Sequence, residues 1–377
     1  MTGRDKILAA LSHEGTPDIP VVICYEGIYT RDHWRQLTSH PWWYRLSPDI
    51  EQQMAWRRDA IAATGLDWLY MPRFRPRAQR VHLAVELRGG EPYLVNRRTG
   101  AADQLIEPVE SGWTAFGSVE SVHPARLATT REEIDALVGQ SGPARPLVEA
   151  GESDLAARLR SEFPGHYPMC HVSSPLWCLY DLWGFDGMMT MLVERPDLVR
   201  YATQRYLELS VQDVYQAQAL GAAGIWVEEC LTDMISPAMY ADLNVPLLSA
   251  LCSAIRAAGM HSIYYYCGNP SDRLDMLLAV GADALALEES KKHFTIDIAD
   301  IAERVQGRCA LLGNLDAMHL LEHGGAADLR REIARQIAAG RRNGSRFIMS
   351  IGSPVTPGTP VERVRLYCDL VHDLGGR

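Results

Sequence analysis

Along the chain, short apolar runs alternate with longer stretches in which apolar positions recur every three or four residues. Eight of the short runs are rich in β-branched or aromatic residues and read as strands: IPVVICYE (19–26), LDWLYMPR (66–73), YPMCHVSS (167–174), AGIWVEEC (223–230), HSIYYYC (261–267), ADALALEE (282–289), CALLGN (309–314) and RFIMSIGS (346–353). The segments between them read as helices, among them 51–65, 176–221, 236–259, 270–281, 296–307 and 329–344, and several stop at a glycine. Eight strands alternating with helices predict an α/β TIM (β/α)8 barrel with an N-terminal helical extension. An open doubly wound sheet is the competing architecture, but no GxGxxG follows the first strand. Residues 1–377 are expected to form one barrel domain with an insertion at about 81–165. The insertion opens with VHLAVELRGGEPYLVNRRTG, a β-hairpin turning at Gly89-Gly90, and continues as a polar stretch rich in Gly, Pro and Glu.

Composition narrows the class. A net charge of −10 supplies no basic surplus to neutralise phosphates, so nucleic acid is not an expected partner. No run approaches the roughly 20 apolar residues that span a bilayer, and MTGRDKILAALSHEG lacks a signal-peptide core. The expectation is a cytoplasmic enzyme with a small-molecule substrate, for which a homodimer is a compatible assembly. Eight scattered cysteines with no CxxC pair suggest neither a disulfide framework nor a zinc ribbon.

In a TIM barrel the chemistry gathers at the carboxyl ends of the strands. Those ends are Glu26, Arg73, Ser173 or Ser174, Glu228 and Glu229, Cys267, Glu288 and Glu289, Asn314 and Ser353. A thiolate at Cys267 and a carboxylate at Glu289 are partial zinc donors, with Glu228 or Glu229, His293 and Tyr265 as candidates to complete the set. The plainer reading, which spacing alone favours, has Glu288-Glu289 capping the barrel and pairing with Lys291 and Lys292. Arg73 is either a bidentate carboxylate anchor or part of a solvated basic loop. Asp67 reads as a turn or capping residue, His171 and His261 as structural histidines. Met188, Met189 and Met191, with Trp177, Tyr180 and Trp183, read as core before pocket wall.

The opening GRDKILAALSHEGTPDIPVV, then YYYCGNPSDRLDMLLAVGADALALEE, LLGNLDAMHLLEHG and FIMSIGSPVTPGTPVERV, resembles the uroporphyrinogen decarboxylase superfamily, most strongly from about 220 to 370. The resemblance implies a TIM barrel and two chemistries. True uroporphyrinogen decarboxylases work without a cofactor, using arginines and an aspartate in an N-terminal segment; here that segment reads YEGIYTRDHW, a departure from their pattern. The other branch contains methyltransferases that bind zinc through His-x-Cys and a later Cys and exchange methyl groups with corrinoid cofactors. Against that pattern Tyr265 replaces the histidine and Ser353 replaces the late cysteine, while Cys267 and a glutamate at the Glu289 spacing remain. The chain is similar to these non-porphyrin members.

Three functional expectations follow. The first is a methyltransferase or demethylase acting on a small methylated substrate, metal-assisted through Cys267, Glu289, Glu228 and His293, with a corrinoid protein or folate as partner. The second is a metal-free decarboxylase or lyase without cofactor, in which Arg73 or Arg31 holds a carboxylate and Tyr265 or Glu289 donates the proton. The third is a ligand-binding barrel that has lost catalysis. Asn269, Asn314 and Ser353 are expected to face the substrate in either enzyme.

Overall fold

The computed structural model describes residues 1–108, 113–114, 117–118, 124, 126–291 and 293–376. Among the described residues there are twelve strands, seven of them in one parallel sheet. These are β1 (Trp68–Tyr70), β7 (Tyr167–Ser173), β8 (Gly224–Glu229), β9 (His261–Tyr266), β10 (Ala284–Leu287), β11 (Ala310–Leu312) and β12 (Phe347–Ile348), adjacent in that order. The eighth stave is the extended segment 19–24. Val22 N donates to Met349 O at 2.9 Å and Met349 N to Pro20 O at 2.8 Å. On the other side Asp67 N donates to Val21 O at 2.9 Å, so the sheet closes on itself. All eight predicted runs are staves of this TIM barrel.

Burial on both faces explains why these runs are nearly continuous in apolar residues. Ile19, Val21, Val22 and Ile23 are each at most 1% exposed, as are Ile225, Trp226 and Val227. Asp67 belongs to the closure, as expected of a capping residue: its Oδ2 accepts from Val21 N at 2.7 Å. The carboxylate also lies 3.7 Å from Lys6 and 3.3 Å from His372. The N-terminal helix Gly3–Leu11 opens with a capping box formed by Thr2 and Asp5.

The insertion begins as predicted. Strands β2 (Leu83–Arg88) and β3 (Glu91–Asn96) pair antiparallel across Gly89-Gly90, both at positive φ, and β4 (Ala102–Gln104) adds a third strand. The short pair β5 (Trp113–Thr114) and β6 (Gly117–Ser118) follows. The polar stretch beyond also holds helices, Arg131–Val138, Ala144–Glu149 and Asp154–Glu162. Thr130 caps the first of them, and its Ile134 and Val138, four apart, are buried.

Two helical expectations change. The segment 176–221 is not one helix: it kinks at Gly184 (φ 65°) and divides at Arg195, whose φ/ψ of −135°/57° is imposed by Pro196. The span Pro237–Ala257, 21 residues long, holds an 18-residue stretch of mean hydropathy 1.3 and is long and apolar enough to cross a membrane, contrary to the sequence expectation. It is an outer helix of the barrel, burying Leu248, Leu251, Cys252 and Ile255. Trp183, Met188 and Met191 are core, and Trp183 Nε1 donates to Ala128 O at 3.0 Å.

Candidate active site

Register decides which side chains reach the barrel interior. Alternation along β8 separates Trp226 and Glu228 from Val227 and Glu229. Trp226 stacks on Tyr265 of β9 with ring centroids 4.9 Å apart, and meets Trp68 and Tyr25 edge-on at 5.9 and 6.4 Å. These rings fill the lumen. Glu228 stands on their face, one step nearer the carboxyl rim. Glu229 is on the outer face, where its Oε2 accepts from Asn244 Nδ2 at 2.6 Å, and burial pushes its pKa up to about 8. Tyr264 and Tyr266 also face outward: Tyr264 Oη lies 2.6 Å from Tyr240 Oη, and the Tyr240 and Tyr266 rings meet at 6.1 Å.

The first stave delivers Tyr25 and Glu26 over this aromatic floor. Tyr25 sits in the left-handed region, φ 58° and ψ 49°, which is strained for a bulky residue. The turn aims its hydroxyl at Glu228, where Oη donates to Oε1 at 3.0 Å. Burial raises the Glu228 carboxyl above the ordinary range, with His171 opposing the shift. His171, inward on β7, has Nε2 3.5 Å from Glu26 Oε2. Two acid–base pairs, Tyr25–Glu228 and His171–Glu26, thus share one wall.

That wall borders a cavity of about 540 Å³, lined also by Tyr70, Arg45, Arg57 and apolar side chains such as Leu37, Trp56 and Leu69. Neither guanidinium forms a salt bridge among the described residues, though the charge of Asp32 acts on Arg45. Arg45 Nη2 donates to Gly27 O at 3.2 Å; Arg57 Nη1 donates to Gln53 O at 3.0 Å and Gln53 Oε1 at 2.5 Å, and its guanidinium lies 4.0 Å from the Trp56 ring centroid. Burial lowers the Arg57 pKa to about 9, which leaves it charged at neutral pH. The sequence carried one signal for Arg57: it stands three and four residues after the buried Met54 and Gln53 of the helix Ile50–Thr64. Nothing local marked Tyr25.

A second cluster lies at the ends of β9, β10 and β12. The pairing of Ala286 with Tyr265 and of Leu287 with Tyr266 sets Glu288 level with Cys267. Glu288 Oε1 is 2.5 Å from Lys291 Nζ, which donates to Ser353 Oγ at 2.7 Å. The plainer sequence reading of a lysine-paired acid therefore holds for Lys291; Lys292 is outside the described residues. Glu289 is 3% exposed, and its buried carboxylate lies beside the Ser353 hydroxyl and the charge of Lys291. It packs so closely on Gly352 that a Cβ there would collide with its backbone nitrogen and Oε2. Cys267 N donates to Glu229 O at 2.9 Å, and its thiol hydrogen-bonds with that of Cys230. Gly268 follows at φ 138°, with Asp233 where a side chain would stand.

Several expected roles change. Tyr265 is not placed to donate a proton to substrate: its Oη already donates to Gly352 O at 2.9 Å. Arg73 is spent on Glu152 and on Gln216 Oε1 at 3.1 Å. Arg31 is held by Asp32, Nε to Oδ1 at 2.5 Å and Nη2 to Oδ2 at 3.1 Å. Asn314 Nδ2 brackets two carbonyls, Glu288 O at 3.1 Å and Ile296 O at 3.0 Å, and Asn269 Oδ1 accepts from Ser271 N in a local turn. His293 is exposed, with a left-handed φ of 68°. Cys267, Glu289, Glu228 and His293 are not brought together, and among the described residues no three Cys, His, Asp or Glu side chains converge in metal-holding geometry. The donors present do not fit the zinc site that the sequence resemblance implied.

The fold and this rim define a TIM barrel with a polar, acid-rich mouth over an aromatic floor. The chain belongs to the uroporphyrinogen decarboxylase (URO-D) family, which matches residues 129–374. Among curated relatives, a uroporphyrinogen decarboxylase of an Anaeromyxobacter species is 27% identical over 287 residues, 74% of this chain and 78% of that protein. Another, from Xanthomonas euvesicatoria, is 27% identical over 239 residues, 59% of this chain; the match spans only 65% of that relative's length. A solved methyltransferase from Methanosarcina mazei shares the fold over 99% of both chains, with a TM-score of 0.65 and 18% identity.

Proposed function

We propose that this protein is a metal-independent lyase of the decarboxylase type, acting on a small carboxylated compound with an apolar body. One observation carries the reading. Arg45 and Arg57 border the same cavity as Tyr25 and His171, and neither forms a salt bridge among the described residues, so the cavity favours an anion. In the proposed step the bond to the leaving carboxylate breaks, carbon dioxide departs, and the electron pair remains on the substrate's conjugated carbon. The proton that replaces the carboxylate comes from the Tyr25–Glu228 pair, where burial favours the protonated carboxyl. No cofactor is needed in this reading.

The test is a panel of small aromatic and unsaturated carboxylates, followed by calorimetric binding and by labelled carbon dioxide release. Binding that weakens in Arg57→Met, with carbon dioxide evolved by the wild type, is the expected result. Binding unaffected by Arg57→Met, or a panel with no binder, overturns the assignment.

Methyl transfer is the second reading, for which the hydrogen-bonded thiols of Cys230 and Cys267 at the rim are the specific observation. It would use a small methylated substrate, with a corrinoid protein or folate as the methyl acceptor. The M. mazei relative, described as a methyltransferase, supports it through the fold. Loss of a methyl group without carbon dioxide release selects this reading over the first.

A further inference from the structure

The strand ends of β9, β10 and β12 concentrate negative charge in a buried place. Glu288 and Glu289 are adjacent and 2% and 3% exposed, and Cys267 is level with Glu288 on the neighbouring strand. Two carboxylates held this way require a counter-charge. Lys291 supplies it. Its side chain is only 9% exposed, its Nζ lies 2.5 Å from Glu288 Oε1, and it donates to Ser353 Oγ at 2.7 Å. Ser353 and Tyr265 are the positions where the sequence resemblance led to an expected metal ligand. The Ser353 oxygen is taken by the ammonium and the Tyr265 hydroxyl is turned to Gly352 O.

We infer that the Lys291 ammonium is this protein's resident cation, occupying with a covalently tethered charge the place a divalent metal would need. Three features agree. The ammonium contacts a carboxylate and a hydroxyl as a bound ion would. Its two contacts come from the strand ends after β10 and β12, so it ties the rim together. With the ammonium in place, Cys267, Glu288 and Glu289 are not drawn together in metal-holding geometry among the described residues. Lys291 is thus a positioning residue, which holds Glu288 and the loop carrying Ser353 beside Cys267. The inference does not depend on which substrate fills the cavity.

Cobalt titration tests it, because a cobalt–thiolate bond gives an intense charge-transfer absorption. The wild-type protein is expected to purify without zinc and to show no such band. Lys291→Met removes the charge at nearly constant length and is expected to bind cobalt at least about tenfold more tightly. The new band should vanish when Cys267→Ser is added. Lys291→Arg, which keeps the charge, should behave as wild type. Wild-type protein that binds zinc or cobalt stoichiometrically with a band dependent on Cys267 overturns the inference. So does a folded Lys291→Met variant with no gain in cobalt affinity. Should Lys291→Met fail to fold, the double variant with Glu288→Gln removes both charges. Recovery of its melting temperature toward wild type supports the pairing, and no recovery overturns it.

Discussion

Tyr25 Oη donates to Glu228 Oε1 at 3.0 Å, joining the first stave of the barrel to the fourth across 203 residues of sequence. The bond requires a left-handed tyrosine, and local strain of this kind persists where the surroundings over-determine it. Phenylalanine at 25 keeps the ring contacts with Trp226 and Tyr265 but removes the hydroxyl. Tyr25→Phe is expected to lower kcat by roughly 10²-fold or more, the usual range for a displaced proton-transfer group. Steady-state kinetics with a circular-dichroism control for folding checks it. An unchanged kcat assigns the hydroxyl a packing role only.

Arg57→Met should separate binding from stability. The guanidinium has no acid partner among the described residues, so its loss breaks no ion pair and relieves a desolvated charge. Affinity for an anionic ligand is expected to fall by about 1.5–3 kcal/mol, the worth of a hydrogen bond to a charged group. The melting temperature should stay level or rise. Calorimetry and thermal denaturation of the same preparation give both numbers.

Glu229 predicts a pH dependence of stability whose sign is fixed by its environment. Burial raises its folded pKa to about 8, above its unfolded value, so between about pH 4.5 and 8 the folded state holds a proton the unfolded chain has released. Its contribution is present at low pH and is lost as pH rises through the folded pKa, by on the order of a few kcal/mol. Glu229→Gln mimics the protonated form and still accepts from Asn244 Nδ2. Its amide nitrogen would also find Asn244 Oδ1, which has no hydrogen-bond partner among the described residues. Urea midpoints at pH 5 and pH 9 are expected to differ less in the variant, with the variant more stable at pH 9.

Asn314 was expected to contact substrate, and the structure makes it a bracket between two loop carbonyls. Asn314→Ala leaves Glu288 O and Ile296 O without that donor in a buried place, at a cost of about 1–3 kcal/mol. Denaturant unfolding should show the loss, while KM for the substrate stays within a few-fold. A large KM change at unaltered stability would return Asn314 to the substrate-binding set.

Most of the fold was legible in the chain. The eight staves read directly because buried parallel strands are short, apolar and rich in β-branched or aromatic residues. The hairpin read from Gly89-Gly90, since consecutive positive-φ residues suit that turn. The long helix over 176–221 was misread because apolar spacing continues through Gly184 and Pro196, where only the backbone breaks. The helices within 131–162 were missed because polar segments of six to nine residues carry few apolar positions.

The candidate site was legible only in part. Glu228, Cys267 and Glu288 could be placed at strand ends by counting along the chain. Their partners could not, because Tyr25, His171 and Ser353 come from distant segments whose meeting depends on barrel closure. The sequence by itself determined the barrel, the family and the acid-rich rim, since strand period and apolar content are local properties. Only the tertiary structure decided that Glu228 faces inward and Glu229 outward, because one residue of register reverses every side chain in a strand. Likewise, only folding could commit Lys291 to Glu288 and Ser353 and leave Arg57 without an acid among the described residues, since charges choose partners by distance in space.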